Sequence, residues 1–227
     1  MDVFEAVDSR ISCRAFLDKP VDQKIIRDLL ERAARAASGG NIQPWNIYAL
    51  TGAPLAELKR QVAAVIAKHD PRHLPTEYPI YPEKMWEPYK SRREAHGHQL
   101  YGALKIDYND MAGRGQQFNR NFEFFNAPVG LFITIHRGLG PGQWSDLGGY
   151  IHALALLARG YGLDTCPQEA WARLYKTVGG FLKIPSDDML FCGMAIGYGN
   201  RSHPANSFRS PRAMPNEFCK FFGFDPA

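Results

Sequence analysis

Two arginines flank a serine near the start of the chain, in the segment Arg10-Ile11-Ser12-Cys13-Arg14. If this segment is extended, Arg10, Ser12 and Arg14 point to the same side, because side chains alternate along a strand. Two guanidinium groups and a hydroxyl suit a phosphate monoester, which accepts paired charged hydrogen bonds and a neutral one. The same pattern on a surface strand often has no function, so it needs support from other motifs.

A second polar segment, Ser38-Gly39-Gly40-Asn41-Ile42-Gln43-Pro44-Trp45, follows a helical pattern. Its glycines let the backbone approach a flat ligand closely, and Ser38, Asn41 and Gln43 offer hydrogen bonds. A helix end that turns into a strand also accounts for the glycines. That alternative leaves Asn41, Gln43 and the Pro44-Trp45 pair unexplained, so the segment is a candidate binding loop.

Three further segments stand later in the chain. They are the stretch 144–148 (Trp-Ser-Asp-Leu-Gly), the stretch 160–168 (Gly-Tyr-Gly-Leu-Asp-Thr-Cys-Pro-Gln), and Gly197-Tyr198-Gly199 followed by Arg209-Ser210-Pro211-Arg212. Together with the two segments above, and in this order, they make the chain resemble the flavin-dependent nitroreductase family. The resemblance extends from about Phe4 to Phe224, except between His69 and Gln117.

The resemblance implies an FMN site built from four groups of residues. Those that would contact FMN are Arg10, Ile11, Ser12, Arg14, Ser38, Gly39, Asn41, Gln43, Pro167, Gln168, Glu169, Arg209 and Arg212. The two arginine motifs would share the phosphate, and the stretch 167–169 would line the isoalloxazine ring. The stretch 38–43 would reach the flavin of a partner subunit, which implies a homodimer. Arg120 is a further candidate for a flavin or substrate contact.

The implied activity is transfer of electrons from NAD(P)H to a small nitroaromatic acceptor, by a ping-pong hydride mechanism. The flavin carries the chemistry, so we assign no catalytic side chain. Two alternatives stay open: a quinone or alkene reductase or reductive dehalogenase on the same scaffold, and a flavin-storage protein without a substrate. No metal site is expected, because His96 and His98 would face apart on a helix, where a solvated face is favoured.

Apolar periodicity indicates the elements that position these residues. The predicted helices are Asp22–Ala37, which the Gly39-Gly40 pair ends, Leu55–Ala67 and Trp144–Ala158; the predicted strands are Asn46–Leu50, Val129–His136 and Met189–Ile196. The stretch 160–168 is expected to be a loop beside the flavin. This pattern predicts an α+β fold, and the resemblance makes it a layered α/β/α core with a mixed sheet covered by helices, in an intertwined homodimer.

We interpret residues 1–227 as one domain with two appendages. The first is a lid-like excursion at about 69–117, partly helical around Pro88–Tyr101, and the second is a C-terminal arm at about 213–227 with Phe218, Phe221, Phe222 and Phe224. The aromatic and basic residues of the excursion are Tyr78, Tyr81, Trp86, Tyr89, Arg92, Arg93, His96, His98 and Tyr101. If the excursion covers the site, these residues favour an anionic aromatic acceptor such as a nitrobenzoate.

Composition excludes several other classes of protein. The 27 basic and 23 acidic residues are scattered without a long basic run, which disfavours a nucleic-acid partner. The four cysteines are far apart, which disfavours a disulfide framework or a zinc site, and Cys166 is expected to be a buried structural thiol. Neither a signal peptide nor a membrane-spanning stretch is evident, so the expected location is the cytoplasm.

Overall fold

Four strands form one sheet at the centre of the molecule. They are β1 (Asn46–Thr51), β2 (Val129–His136), β3 (Asp164–Gln168) and β4 (Asp188–Gly197). Their order across the sheet is β1-β2-β4-β3, and each neighbouring pair is antiparallel. The computed structural model describes residues 1–224.

Within the described residues, eight α-helices surround this sheet. They are α1 (Val3–Ser9), α2 (Gln23–Ala33), α3 (Gly52–Ile66), α4 (Tyr89–Ala103), α5 (Met111–Asn119), α6 (Pro141–Gly160), α7 (Tyr175–Leu182) and α8 (Pro215–Phe218). Short 3-10 helices lie at Gly39–Asn41, Pro71–His73, Arg120–Asn126, Glu169–Leu174 and Pro204–Asn206. None of these helices has the length and apolar character that crossing a bilayer requires.

Helices cover both faces of the sheet, which gives the predicted three layers. On one face, Leu131 and Ile133 of β2 pack with Leu29 of α2 and Leu154 of α6. On the other face, Phe132 packs against α3, α7 and an aromatic group around Trp171. The strand β2 is therefore buried on both faces, which explains why its sequence is an unbroken apolar run. Its predicted bounds are confirmed.

The helix α2 is shorter than the sequence pattern suggests. Asp22 is its N-cap and accepts a hydrogen bond from the backbone of Lys24 at 2.8 Å. The helix ends at Ala33 instead of Ala37, before the glycine pair is reached. A tertiary contact competes with the helix there, because the backbone N–H of Gly39 donates to Asp146 of α6 at 3.1 Å.

The stretch after α6 is a strand instead of the expected loop. Asp164–Gln168 pairs with β4 at the edge of the sheet, where proline is tolerated because one side of an edge strand needs no donor. Pro167 obscured this strand in the sequence. The prediction of a mixed sheet was also wrong for the four strands, which are antiparallel. The parallel element among the described residues is the isolated bridge between Ser12 and Thr165.

The stretch 69–117 contains α4 and most of α5, connected by irregular chain. Its first part is anchored in the core by Leu74, Tyr78 and Ile80. The side chain of Tyr78 is buried, stacks on Phe191 with ring centroids 5.4 Å apart, and donates a hydrogen bond to the Phe191 carbonyl at 2.6 Å. The helix α4 has no buried residue, and the predicted helix around Pro88–Tyr101 is confirmed there.

Large apolar side chains stay exposed at both ends of the described chain. Val3, Phe4 and Val7 of α1 are 63%, 77% and 50% exposed. The phenylalanines of the C-terminal stretch, Phe218, Phe221, Phe222 and Phe224, are also exposed. The last part of the predicted arm, 225–227, lies outside the described residues. Such concentrated apolar exposure is typical of an interaction surface.

Candidate functional site

A cavity of about 1190 Å³ lies where the first and last parts of the sequence meet. Its lining includes Arg10, Ile11, Ser12 and Arg14 from the segment after α1. The stretch 208–213 and the outer face of α4 complete the wall, with Arg209, Ser210 and Arg212 on the former. The two arginine motifs, which are nearly two hundred residues apart in the sequence, therefore share one cavity.

The segment that carries Arg10 to Arg14 is held extended by three contacts. Ser12 bridges to Thr165 of β3, and the backbone N–H of Cys13 donates to the Thr165 carbonyl at 2.9 Å. The backbone N–H of Arg14 donates to the Asn206 side chain at 2.7 Å. Cys13 is fully buried, so its neighbours on either side face outward and line the cavity. Arg10, Ser12 and Arg14 share the cavity, and Ile11 between them also contributes to its lining.

The cavity concentrates positive charge. Burial, followed by the nearby charges of Arg212 and Arg209, lowers the pKa of the Arg10 guanidinium. Among residues 1–224, no carboxylate lies within 4 Å of Arg10, Arg14, Arg209 or Arg212, although such pairs exist elsewhere. Four guanidinium groups that line one cavity and form no ion pair with a carboxylate of the described chain, together with the Ser12 hydroxyl, fit the phosphate of FMN.

His96 of α4 belongs to this cavity, although the sequence favoured a solvated face for it. Its Nε2 lies 3.3 Å from Nη2 of Arg14, and its Nδ1 lies 2.8 Å from the Ser210 hydroxyl. Burial, Arg14 and Arg212 lower the pKa of the imidazole, in that order of size. A surface histidine has the same sequence pattern whether it faces solvent or a cavity, so the sequence alone could not assign it.

Other residues of the expected lid have different positions. Arg92 lines the cavity and pairs with Glu217 of α8 at 3.4 Å. Arg93 lies over the ring of Tyr81, and His98 stacks on Tyr108 with centroids 4.0 Å apart. Of the nine residues listed for the excursion, the cavity lining includes Arg92 and His96. The excursion therefore contacts the arginine cluster through one face of α4.

The residues expected along the flavin ring lie at the end of β3, outside this cavity lining. Pro167 and Glu169 are exposed and Gln168 is buried. Gln168 donates from Nε2 to the Asn121 carbonyl at 2.7 Å, while its Oε1 is buried and has no partner. An unpartnered buried oxygen beside exposed backbone is suited to a bound ring with polar edges.

The segment Ser38–Gln43 lies on the surface, away from the cavity of its own chain. Its turn is closed by the backbone N–H of Gln43, which donates to the Ser38 hydroxyl at 3.1 Å. Asn41 and Gln43 adopt left-handed backbone conformations, with φ of 57° and 52°. Such conformations cost non-glycine residues free energy and often occur at binding sites. The placement is compatible with a contact to a second subunit.

A buried ion cluster behind the cavity was not found from the sequence. Asp164, with 3% of its side chain exposed, pairs with Arg159 of α6 at 2.9 Å and also with Arg201. Arg159 in turn donates to the Ser9 hydroxyl at the end of α1. The cluster fixes α1, and hence Arg10, relative to β3. Arg159 and Asp164 are five positions apart, but the turn between α6 and β3 that brings them together has no sequence pattern that would reveal the pairing.

Two further residues were singled out in the sequence: Cys166 as a structural thiol and Arg120 as a candidate flavin or substrate contact. Cys166 is buried and burial raises its thiol pKa, which agrees with a structural thiol. Arg120 starts a 3-10 helix and does not line the cavity. The pKa of His203 is lowered mainly by burial and to a smaller extent by the charge of Arg120. Among the described residues, no cluster of three potential metal ligands is present.

The chain belongs to the Nitroreductase family, whose model matches residues 7–198. It is 40% identical to a 4-nitrobenzoate reductase from Pseudomonas putida, over 99% of this chain and 97% of that protein. It is 36% identical to a nitrobenzene nitroreductase from Ectopseudomonas oleovorans, over 96% of this chain and 95% of that protein.

Among solved structures, the fold is similar to that of the FMN and NADPH-dependent nitroreductase NfnB from Sphigopyxis sp. strain HMH. The TM-score is 0.95, with 40% identity over 99% of this chain and all of that one. The layered fold predicted from the sequence is therefore confirmed.

Proposed function

We propose that this protein is an FMN-dependent reductase that transfers electrons from NAD(P)H to a nitroaromatic compound, working as a homodimer in the cytoplasm. The observation that carries the proposal is the cavity in which Arg10, Arg14, Arg209 and Arg212 meet. The similarity to FMN and NADPH-dependent nitroreductase NfnB over the whole chain supports it. When bound, FMN supplies the two-electron chemistry that accepts electrons from the nicotinamide and delivers them to the nitro group.

The protein's own contribution is binding and orientation. The four guanidinium groups hold the phosphate, and Ser12 adds a neutral hydrogen bond. The backbone contacts of the segment 10–14 to Thr165 and Asn206 fix the direction in which the guanidinium groups point. Pro167, Gln168 and Glu169 border the flavin ring. Because β3 carries the bridge to Ser12, the phosphate end and the ring end are held by one rigid unit.

We assign the exposed apolar surface to the dimer. Val3, Phe4 and Val7 lie on α1, next to the cavity. On α6, Gly148 and Gly149 have no neighbouring atom within 4 Å of an added Cβ, which leaves room for a second helix. In this dimer the segment 38–43 completes the partner's flavin site.

The domain organisation is a single domain with the excursion 69–117 as lid and the stretch from 213 onward as arm. The four cysteines are free, in keeping with a reducing compartment.

The test of the cofactor site is FMN binding by the Arg14→Ala variant. Loss of a charged hydrogen bond should raise the Kd for FMN by at least about tenfold. Riboflavin, which lacks the phosphate, should bind the variant and the wild type equally. Arg27→Ala removes an exposed arginine of α2 and is the matched control. Equal FMN affinity for Arg14→Ala and wild type would mean that the phosphate binds elsewhere.

Anaerobic addition of NADH or NADPH distinguishes an enzyme from a flavin-storage protein. In an enzyme, the absorbance of the oxidised flavin is lost when the nucleotide is added. A flavin that stays oxidised with both nucleotides would favour the storage protein. If it is reduced, a screen of nitroaromatics, quinones and halophenols under reducing conditions separates the nitroreductase from the alternative reductases on this fold.

Among nitroaromatic acceptors we propose a carboxylated one, such as 4-nitrobenzoate. The excess of arginines over carboxylates in the cavity lining supports this choice, since net positive charge attracts anions. The 40% identical relative is named for nitrobenzoate and the 36% identical one for nitrobenzene. The comparison is kcat/KM for 4-nitrobenzoate against nitrobenzene at low and high salt. A preference for the anion that shrinks with salt is expected, and equal values at both salt concentrations would refute the carboxylate preference alone.

A further inference from the structure

His96 is the one titratable group of the excursion that touches the arginine cluster within the described residues. It lies on α4 and bridges Arg14 and Ser210, which come from opposite ends of the sequence. Its ring also lies against Phe208, with centroids 5.8 Å apart. The proposed cofactor site, as described so far, assigns this histidine no role.

The hydrogen bonds define the protonation state of His96 when the cavity holds no anion. A guanidinium can only donate, so Nε2 must accept from Arg14 through its lone pair. The proton of the neutral ring then lies on Nδ1, which donates to the Ser210 hydroxyl. The surrounding charges enforce this state. Arg14 and Arg212 face the imidazole and, after burial, lower its pKa.

Further charged groups share the cavity with His96. These are Asp8, Arg10, Arg92, Arg209 and Glu217. Arg92 lies one turn earlier on α4 and is paired with Glu217, so the pair adds little net charge. Positive charge therefore dominates around the imidazole. A dianion in the cavity would offset much of this positive charge, and a proton on Nε2 would then donate to it.

We infer that His96 is a fifth ligand of the flavin phosphate, which becomes protonated when FMN binds. The proton comes from solvent and is taken up at Nε2, while Arg14 turns from the imidazole to the phosphate. The inference rests on the proposed FMN site. It predicts that FMN binding consumes a proton near pH 7.5, and that the affinity falls as the pH rises from the pKa of His96 in the free protein to its higher pKa in the complex. The sign follows because only the protonated ring donates to the anion.

Proton uptake can be measured by isothermal titration of FMN into cofactor-free protein, in two buffers with different heats of ionisation. We expect the wild type to take up about one proton at pH 7.5, since a free histidine titrates near 6.5 and is neutral there before binding. The phosphate of FMN adds little, because its second pKa is about 6. Fluorescence titration gives the Kd in parallel.

The variants separate the charge of His96 from its shape. His96→Gln can still accept from Arg14 and donate to Ser210, but it cannot become a cation. We expect no proton uptake and an FMN affinity at pH 6.5 that is weaker by about tenfold. His96→Lys should keep most of the affinity without proton uptake. His98→Gln, two residues away on the exposed side where His98 stacks on Tyr108, is the matched control and should behave as the wild type.

The outcomes distinguish this inference from the proposed function. If Arg14→Ala loses FMN while His96→Gln binds it with wild-type affinity and proton uptake, the role of His96 is refuted and the phosphate site stands. If the wild type binds FMN no better than riboflavin, the phosphate does not lie in this cavity and both proposals fail. The result that supports both proposals has two parts: riboflavin binds wild type and His96→Gln equally, and FMN binds His96→Gln more weakly than wild type.

Discussion

Adding one methyl group at Gly193 should destabilise the protein strongly. Gly193 lies in β4 opposite the indole of Trp171, and a Cβ there would lie 2.2 Å from Cδ1 and 2.7 Å from Nε1 of that ring. Carbon atoms in contact are normally about 3.5–4.0 Å apart, so the ring would have to move by more than about 1 Å.

The surroundings leave the indole nowhere to move. Trp171 has no exposed surface, and the rings of Phe122, Phe124 and Phe132 lie with centroids 5.3, 4.7 and 4.9 Å from it. Overpacking a well-packed core costs about 1–3 kcal/mol and occasionally more. Because the clash here is with a rigid ring in a rigid cage, we expect Gly193→Ala to lose about 3 kcal/mol of unfolding free energy.

The assay is urea unfolding at one protein concentration, with saturating FMN and a thiol reductant. Gly180→Ala is the matched control, since a Cβ on that exposed helical glycine meets no atom within 4 Å, and alanine should gain up to about 1 kcal/mol there. The double variant Gly193→Ala/Trp171→Phe should recover part of the loss, with a coupling of at least about 1 kcal/mol. A Gly193→Ala midpoint equal to the wild type would refute the packing argument.

Three further outcomes are expected. Tyr78→Phe removes the buried hydrogen bond to the Phe191 carbonyl and should cost about 1–2 kcal/mol in the same assay; no loss would mean that the hydroxyl has another partner. A thiol reagent should modify the partly exposed Cys219 of the native protein before the buried Cys13, whose pKa burial raises to about 12, and mass mapping that finds Cys13 first would contradict this. Removing the chain from Phe218 onward should lower both dimer content and flavin occupancy by light scattering and absorbance, and a truncated monomer with full flavin would disprove the role of the arm.

The parts of the fold that the sequence predicts are those in which burial leaves a local pattern. β2 is buried on both faces and is recognisable as an apolar run, and α6 is recognisable for a similar reason. β3 is not, because Pro167 and a short polar stretch obscure an edge strand whose pairing depends on distant β4. The sequence pattern places the end of α2 too late, because the Gly39-Gly40 pair is a sufficient local signal for a helix end. The contact of Gly39 with Asp146, which is 107 positions away in the sequence, leaves no local signal.

The same distinction applies to the site. The arginine motifs were identifiable by residue type and spacing, and the structure brings them into one cavity. The sequence offers His96 only as a possible metal ligand together with His98, or as a residue of the lid. Nothing in the neighbouring sequence indicates that α4 directs this side chain toward Arg14. The Asp164 cluster is similar: its partners become apparent only when α6 and the end of β4 are in place.

The assembly of the cavity from both ends of the sequence has a consequence for biosynthesis. Arg14 and Asn206, which are joined by a hydrogen bond, are 192 positions apart, and Arg209 and Arg212 follow still later. A chain under synthesis therefore presents only half of the anion site until the residues up to Arg212 have been made. FMN, by the proposed site, can stabilise the finished fold by mass action but not the unfinished one. A chain that ends before Arg209 lacks this stabilisation, because it lacks the second pair of arginines.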